Sequence, residues 1–212
     1  MTYTPSKLIV CLGFLLGGGM ALAQAISPPI AEYRGLKAEG SFRIDNTTDQ
    51  TMVVLLETKS FRVDDNGRPV YSPLQPQVRI DFGASSFSIR PQDSYTVYYK
   101  AISKISPVSF SIIPTMLPGE RKTGVSLEYV FPHMVYLYQK TKLTKTDVQV
   151  SLKDGNVVIV NNSEKLGRVE FIHDGSTQLS GFPLYPGQTR QIVVASANPV
   201  VNFEDGFKVE AR

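Results

Sequence analysis

Residues 124–138 read GVSLEYVFPHMVYLY, and this stretch decides how the rest of the chain is interpreted. Apolar side chains occupy every second position in its first half, at Val125, Leu127, Tyr129 and Phe131. A period of two is typical of a β-strand, because successive side chains of a strand point to opposite faces. The sequence therefore predicts a strand here, between a polar loop expected at residues 114–124 and a polar segment at residues 139–145.

Periodicity alone leaves two interpretations of this strand open. It is either a paired interior strand of a sandwich or an exposed edge that pairs with another protein by β-augmentation. Natural edge strands are normally protected, because their unpaired N–H and C=O groups recruit other chains. This strand carries one charge, Glu128, between Val125 and Phe131. That weak protection favours an edge that is meant to be used.

The rest of the chain after residue 25 repeats the same short, alternating pattern. Runs such as those at residues 42–44, 52–56, 78–82 and 95–99 predict strands, and Asn66-Gly67 predicts a hairpin turn. With 14 Pro, 16 Gly and 42% apolar residues, the composition is that of an all-β chain with many turns. About seven or eight strands before residue 139 match one immunoglobulin-like sandwich.

The polar segment at residues 139–145 has no apolar run and is the expected boundary between two domains. A smaller set of strands follows it, from residues 148–152 to residues 207–209. We therefore expect an N-terminal domain over residues 26–139 and a small C-terminal β-sandwich over residues 140–212. A domain of about 70 residues buries a small fraction of its surface, so we expect it to depend on packing against the first.

Residues 1–25 have the pattern of a cleaved secretory signal. Lys7 precedes a short apolar run, and the segment ends in Ala23-Gln24-Ala25. The apolar run is too short to cross a bilayer as a helix. Cys11, the one cysteine of the chain, lies in this segment, so no intramolecular disulfide can form. We expect an exported protein in the periplasm, with no membrane insertion after cleavage.

Side chains that would support catalysis or metal binding are scarce. Neither His133 nor His173 has metal-ligand spacing, so we expect His133 at the surface or between domains and His173 in a turn. No nucleophile, phosphate-loop or dinucleotide motif is present. The 22 basic and 19 acidic residues nearly cancel, which gives no indication of nucleic-acid binding. We expect no enzymatic activity, no cofactor and no metal.

Two segments match the acceptor pattern for N-glycosylation, at Asn46-Thr47-Thr48 and Asn161-Asn162-Ser163. The turn preference of Asn at strand ends explains both equally well.

The order of these elements resembles the PapD-like periplasmic chaperones of the chaperone–usher pathway, which assembles pili. The resemblance is diffuse and covers nearly all of the chain after the signal. Its most specific part is residues 182–190, FPLYPGQTR; the others are residues 42–46, 87–91, the 114–124 loop with the strand after it, and 157–163.

This resemblance implies two immunoglobulin-like domains in a boomerang arrangement and a chaperone for pilus subunits. The family donates the last strand of its first domain to an incomplete pilin fold and delivers the pilin to an outer-membrane usher. The donated strand matches Val125, Leu127, Tyr129 and Phe131. A chaperone of this kind can also cap its own edge by dimerising.

The sequence departs from the family where the family binds the terminal carboxylate of the pilin. Ile30 stands in place of an Arg, and Val135 or Tyr136 in place of a Lys. Nearby cations, with Arg34 and Lys140 as the selected candidates, can take this role, although solvated surface cations are an equal alternative. The departure indicates a divergent branch of the family.

The alternative function is a structural or adhesive β-sandwich, such as a pilus tip subunit or a carbohydrate-binding module. A carbohydrate module should expose aromatic rings in a groove, and Tyr98-Tyr99 or Tyr136 and Tyr138 are the candidates.

Overall fold

The computed structural model describes residues 25–119, 128–204 and 206–212. These residues form strands joined by turns, with a single turn of 3₁₀ helix at Lys145–Asp147. The strands of the first half are β1 (Ala25–Ser27), β2 (Ile30–Arg34), β3 (Lys37–Asp45), β4 (Met52–Val63), β5 (Pro69–Pro73), β6 (Val78–Phe82), β7 (Ser86–Ile89), β8 (Ser94–Ser103), β9 (Val108–Pro118), β10 (Tyr129–Val130) and β11 (His133–Tyr138). Those of the second half are β12 (Val148–Lys153), β13 (Asn156–Asn161), β14 (Gly167–Asp174), β15 (Thr177–Leu184), β16 (Thr189–Val193), β17 (Val200–Phe203) and β18 (Lys208–Glu210).

The first half is a β-sandwich of two sheets. One sheet has the order β1-β3-β8-β6, and the other has the order β2-β11-β9-β4-β5, with β10 added to β9 and β7 added to β4. Between them lies a core that includes Phe42, Phe110, Ile112, Met116 and Leu137, none more than 1% exposed. β8 shows how the sequence builds this core, since Val97, Tyr99 and Ala101 point inward while the residues between them are exposed.

The second half is a smaller sandwich with its own core. Its sheets have the orders β12-β13-β16 and β15-β14-β17-β18. The core includes Val157, Ile159, Val169, Ile172 and Phe203, all fully buried. The expected fold class, all-β with two immunoglobulin-like sandwiches, is confirmed. Strands of the first sandwich end at Tyr138 and those of the second begin at Val148, and we place the domain boundary in this interval.

A buried asparagine ties the strands together in the same way in each sandwich. The Asn46 amide donates to the carbonyls of Gln50, Ile89 and Arg90, and its oxygen accepts from the Thr48 N–H and hydroxyl. Asn161 repeats this pattern with the carbonyls of Lys165, Leu184 and Tyr185 and with Ser163. Both side chains are buried and fully hydrogen-bonded, so the Asn-x-Ser/Thr patterns are explained by structure rather than by glycosylation.

Two local expectations need correction. The loop predicted at residues 114–124 is wrong in its first part, because β9 continues to Pro118 and pairs with β4 along this stretch. The strand β5 was not predicted, although it forms the second arm of the hairpin predicted at Asn66-Gly67. Its five residues are all exposed, so no inward-facing apolar pattern marks it.

The two sandwiches meet through a third apolar cluster. It contains Phe61, Tyr136 and Tyr138 from the first sandwich and Leu166 from the second, with Tyr185 packed against them. The amide of Gln188 donates to the carbonyls of Val63 and Asp64 across the same junction. Within the described residues, no helix has the length and apolar character needed to cross a bilayer.

Candidate strand-donating edge

The segment that the sequence singled out pairs with β9 in two pieces. β10 places Tyr129 opposite Met116 and Val130 opposite Thr115, and β11 continues along β9 from His133 to Leu137. The Phe131 N–H donates to the Pro114 carbonyl between the two pieces. The whole described stretch therefore lies along one side of β9.

The opposite side of the stretch is covered over only part of its length. β2 runs parallel to β11, from Ile30 opposite Met134 to Arg34 opposite Tyr138. The Met134 N–H donates to the Pro29 carbonyl at 2.8 Å, and the pairing ends there. Before that point the chain crosses to the other sheet, where β1 pairs with β3.

Two consecutive prolines mark this crossing. Pro28 and Pro29 have no N–H group, so neither can donate a ladder hydrogen bond to a neighbouring strand. Consequently no described strand lies beside β10 on the side away from β9. Because backbone groups alternate along an antiparallel pair, the Val130 N–H and C=O face this open side. Of the two interpretations left open, β11 fits the interior strand and β10 fits the edge.

The side chains of this edge continue the inner face of the sandwich. His133, Val135 and Leu137 are buried against the first core, and Tyr129 and Phe131 are partly buried against the same core. The rings of Tyr129 and Phe131 lie nearly parallel, with their centroids 6.3 Å apart. Val130, between them, points outward and is 52% exposed. The predicted alternation is present at Tyr129 and Phe131, while Val125 and Leu127 lie outside the described residues.

Other edges of the first sandwich carry prolines or charges within their strands. β5 begins and ends with a proline. β6 carries Arg79 and Asp81 as an exposed ion pair, with Nη2 and Oδ1 3.1 Å apart. Prolines and charges are the usual means of preventing edge-to-edge pairing. β10 itself, Tyr129–Val130, carries neither, and Pro132 and the exposed Glu128 lie just outside it.

The outer face of β11 packs into the domain junction. Tyr136 is 3% exposed, and its ring lies edge-on to Phe61 with centroids 5.3 Å apart. Burial is the main cause that raises the pKa of Tyr136 to about 12, so the phenol stays neutral. Tyr136 and Tyr138 are therefore not exposed rings available to a ligand.

Arg34 already has three partners in this junction. Its Nη2 lies 2.8 Å from Glu204 Oε2, its Nη1 donates to the Gln139 carbonyl, and its guanidinium lies over the Tyr138 ring. Lys140 is exposed one residue beyond Gln139. The two predicted carboxylate-binding residues are thus near each other, at the far end of β2 from Pro29.

A second ion pair joins the domains through residues that the sequence analysis did not select. Arg168 on β14 contacts the carboxylate of Glu32 on β2, and the Tyr138 hydroxyl also donates to Glu32. Glu32 and Arg168 are 136 positions apart, and no local pattern connects them. Their pairing depends on how the two sandwiches pack.

The expected surface or interdomain position of His133 is wrong. Its side chain is fully buried inside the first sandwich, where it stacks on Phe42 with ring centroids 4.6 Å apart. Burial lowers the pKa of His133, so the ring is neutral in the folded protein. His173 is exposed at the end of β14, just before the turn.

Tyr98 is the exposed member of the remaining aromatic candidates. It is 72% exposed on the outer face of β8, whereas Tyr99 is 2% exposed. A shallow hollow of about 560 Å³ lies here, lined among others by Tyr98, Glu39, Ser41, Asp81 and Lys100. No group of three His, Cys, Asp or Glu side chains within the described ranges could hold a metal ion.

No protein-family model matches the chain, and no curated protein matches its sequence. Solved structures do match its fold over most of their length. The class 5 fimbriae chaperone CfaA covers 89% of this chain and 98% of its own, with a TM-score of 0.57 and 11% identity. The E. coli chaperone DraB covers 90% and 96%, with a TM-score of 0.54 and 12% identity. A structure of Salmonella enterica SafA pilin in complex with the SafB chaperone covers 87% and 92%, with a TM-score of 0.55 and 10% identity.

These matches span both sandwiches and come from fimbrial chaperones that differ from this chain at most positions. The chain therefore has the two-sandwich fold of the chaperones of fimbria assembly.

Proposed function

We propose that this protein is a divergent PapD-like periplasmic chaperone that binds pilus subunits by donor-strand complementation and delivers them to an outer-membrane usher. The observation that carries the proposal is the open side of β10, where the Val130 N–H and C=O face no described strand. The fold shared with fimbrial chaperones supports the same function. The expected signal at residues 1–25 supports export to the periplasm.

The chemistry of the edge suits a subunit that lacks one strand. A strand of the subunit would pair with the outer side of β10 and extend the sheet, as in β-augmentation. Tyr129 and Phe131 would then contact the core of the subunit on the inner face, in line with Val125 and Leu127 earlier in the chain. Burying these apolar side chains stabilises the complex by roughly 25 cal/mol per Å² of apolar surface. A second copy of the chain could cap the same edge when no subunit is present.

Arg34 and Lys140 remain our candidates for holding the terminal carboxylate of the subunit. Arg34 would have to exchange Glu204 for this carboxylate, because its guanidinium already contacts Glu204. Lys140 is exposed one residue beyond Gln139, where its ammonium group could reach the carboxylate from solvent.

A single proline substitution, which removes one backbone N–H group, tests the proposal. Val130→Pro removes the N–H that faces the open side, and the folded chain tolerates it because this group makes no bond to β9. We expect about tenfold weaker binding of the subunit, the size of one lost hydrogen bond with added steric conflict. Binding is measured by titration with the subunit that co-purifies with the tagged protein from its native periplasm.

The matched control is Val130→Thr, which keeps a β-branched side chain and the N–H group. It should bind the subunit as the natural protein does. Equal binding by the Pro and Thr variants, both folded by circular dichroism, would refute donor-strand pairing at β10.

The hollow beside Tyr98 supports the alternative, a carbohydrate-binding module. An exposed ring flanked by Glu39, Asp81 and Lys100 combines a flat apolar surface with hydrogen-bonding groups. If this function is correct, Tyr98→Ala abolishes binding on a glycan array while Val130→Pro leaves it unchanged.

A further inference from the structure

The part of the edge that β2 covers, along β11, and the open part, along β10, meet at His133. Its Nδ1 lies 2.8 Å from the Pro28 carbonyl oxygen, and its Nε2 lies 3.1 Å from the Tyr99 hydroxyl. The ring thus joins three elements: the proline crossing between β1 and β2, the start of β11, and β8 in the opposite sheet. Each ring nitrogen has one partner, so this buried polar side chain is satisfied.

The direction of these hydrogen bonds follows from the partners. A carbonyl oxygen can only accept, so Nδ1 carries the proton and Nε2 accepts from the Tyr99 hydroxyl. The Tyr99 hydroxyl lies 3.2 Å from the Tyr33 hydroxyl, which must then be the donor of that pair. The result is one ordered chain from Tyr33 through Tyr99 and His133 to Pro28.

The surroundings leave little freedom for the ring. Phe42 stacks on one side of His133, with the ring planes 25° apart. Gly40 makes room for the two tyrosine hydroxyls, because a Cβ there would lie 2.7 Å from the Tyr99 hydroxyl and would also meet that of Tyr33. His133 therefore has a defined position before any partner binds.

The proline crossing depends on side-chain contacts of this kind. Since Pro28 and Pro29 cannot donate, their carbonyls are what can fasten this part of the chain to β11. The Pro29 carbonyl accepts from the Met134 N–H, and the Pro28 carbonyl accepts from His133. These two consecutive bonds define where the pairing of β2 with β11 begins.

We infer that His133 is a positioning residue that sets the boundary between the covered edge of β11 and the open edge of β10. Its importance for subunit binding rests on the proposed function, because that boundary determines how far along the edge a subunit strand can pair. If the Pro28 contact were lost, the crossing would loosen and the Met134 end of β11 would become accessible.

Replacing His133 with either of two amide side chains distinguishes the hydrogen bond at Nδ1 from the one at Nε2. Asn at position 133 can place its N–H₂ near the position of Nδ1, whereas Gln reaches toward the position of Nε2. Amide hydrogen exchange on the free protein reports the boundary through the Met134 N–H, with the amides of Phe110 and Ile112 in β9 as the reference for global opening. We expect His133→Gln to lower the relative protection of Met134 about tenfold and His133→Asn to retain it.

Tyr99→Phe is a further control because it removes the bond to Nε2 and leaves the Pro28 contact in place. It should keep the Met134 amide protected relative to β9. Equal loosening of Met134 in the Gln, Asn and Phe variants would overturn the inference, as would the absence of any change in the Gln variant. In the natural protein, ¹⁵N chemical shifts should show the tautomer protonated at Nδ1, and the opposite tautomer would also overturn it.

None of these measurements involves a subunit. The inference on His133 can therefore fail while donor-strand binding holds, and the reverse also applies.

Discussion

At the scale of single residues, a buried asparagine connects the ends of several strands in each sandwich. Asn46 and Asn161 each donate to three backbone carbonyls near the ends of strands. Their place at strand ends is visible in the sequence, where a turn and a glycosylation site explain the two patterns equally well. That choice requires knowing which carbonyls lie around them, and Ile89 and Leu184 are 43 and 23 positions away.

Replacing Asn161 with Ala should strongly destabilise the second sandwich. The substitution removes hydrogen bonds to the carbonyls of Lys165, Leu184 and Tyr185, of which that of Leu184 is buried, and we expect a cost of about 3 kcal/mol in the free energy of unfolding. Urea denaturation measures the loss. Asn162→Ala is the matched control, since its side chain is exposed, and it should change stability by less than about 0.5 kcal/mol. Similar losses in both variants would contradict the role of Asn161.

The burial of the His133 ring leads us to expect that the stability of the protein falls at acidic pH. Burial lowers its pKa in the folded state, so the unfolded chain binds a proton more readily. The stability that the neutral, buried His133 contributes to the folded state is fully present above the unfolded pKa of about 6.5. This stability is lost as pH falls from there toward the folded pKa. Urea midpoints measured between pH 8 and pH 5 should therefore fall more steeply in the natural protein than in His133→Asn.

The same series on His173→Asn gives the comparison, because that ring is exposed. This variant should follow the natural protein. A His133→Asn curve as steep as that of the natural protein would show that burial of His133 does not produce the acid sensitivity.

At the scale of strands, periodicity predicted the buried face of alternating strands such as β8 but not which edge of the sheet is covered. Tyr129 and Phe131 share one face of the edge and pack against the first core, while their contact with a subunit stays a prediction. The break between β10 and β11 falls at Pro132, but which of the two pieces is covered was not predicted, because that depends on where the distant residues Pro28 and Pro29 leave the sheet. Strand pairing between segments about 100 positions apart has no local signal.

If the charges of Arg79 and Asp81 protect the β6 edge, removing them should cause the protein to self-associate. Arg79→Val with Asp81→Val gives the strand the sequence Val-Val-Ile-Val-Phe on an edge with no described neighbour. The double variant should self-associate with rising concentration in size-exclusion chromatography, because apolar edges without charges pair with one another.

The control for β6 uses the same kind of ion pair on an interior strand. Glu57 and Lys59 lie 3.1 Å apart on β4, which pairs with β9 along this stretch. Replacing both with Val should leave the protein monomeric at the same concentrations. Association of the β4 variant alone would contradict the explanation by edges.

At the scale of the whole molecule, the two sandwiches are joined by a cluster that is apolar at its centre and charged at its rim. Tyr136, Tyr138 and Leu166 are buried there, while Glu32–Arg168 and Arg34–Glu204 pair across the junction. We expect the small second domain to depend on the first through these contacts. Which charges pair could not be predicted, because it depends on the relative position of two folded units.

Gln188 links the domains through two hydrogen bonds, and a third bond within the second sandwich holds its side chain in place, so we expect it to couple the unfolding of the two domains. Its amide donates to Val63 and Asp64, and its oxygen accepts from the Tyr185 N–H. Gln188→Ala should lower the stability of the second sandwich by about 2 kcal/mol and separate one calorimetric transition into two. Gln191→Ala, an exposed glutamine on β16, should unfold as the natural protein does. A single unchanged transition in the Gln188 variant would contradict coupling at this site.

Donor-strand binding is best tested by hydrogen exchange at the Val130 amide, with and without the subunit that co-purifies from the native periplasm. This N–H faces the open side of β10, so it should exchange rapidly in the free chain and become protected in the complex. The Phe131 N–H, already bonded to the Pro114 carbonyl, should change far less. A stable complex in which Val130 exchanges as fast as in the free protein would contradict donor-strand binding at this edge.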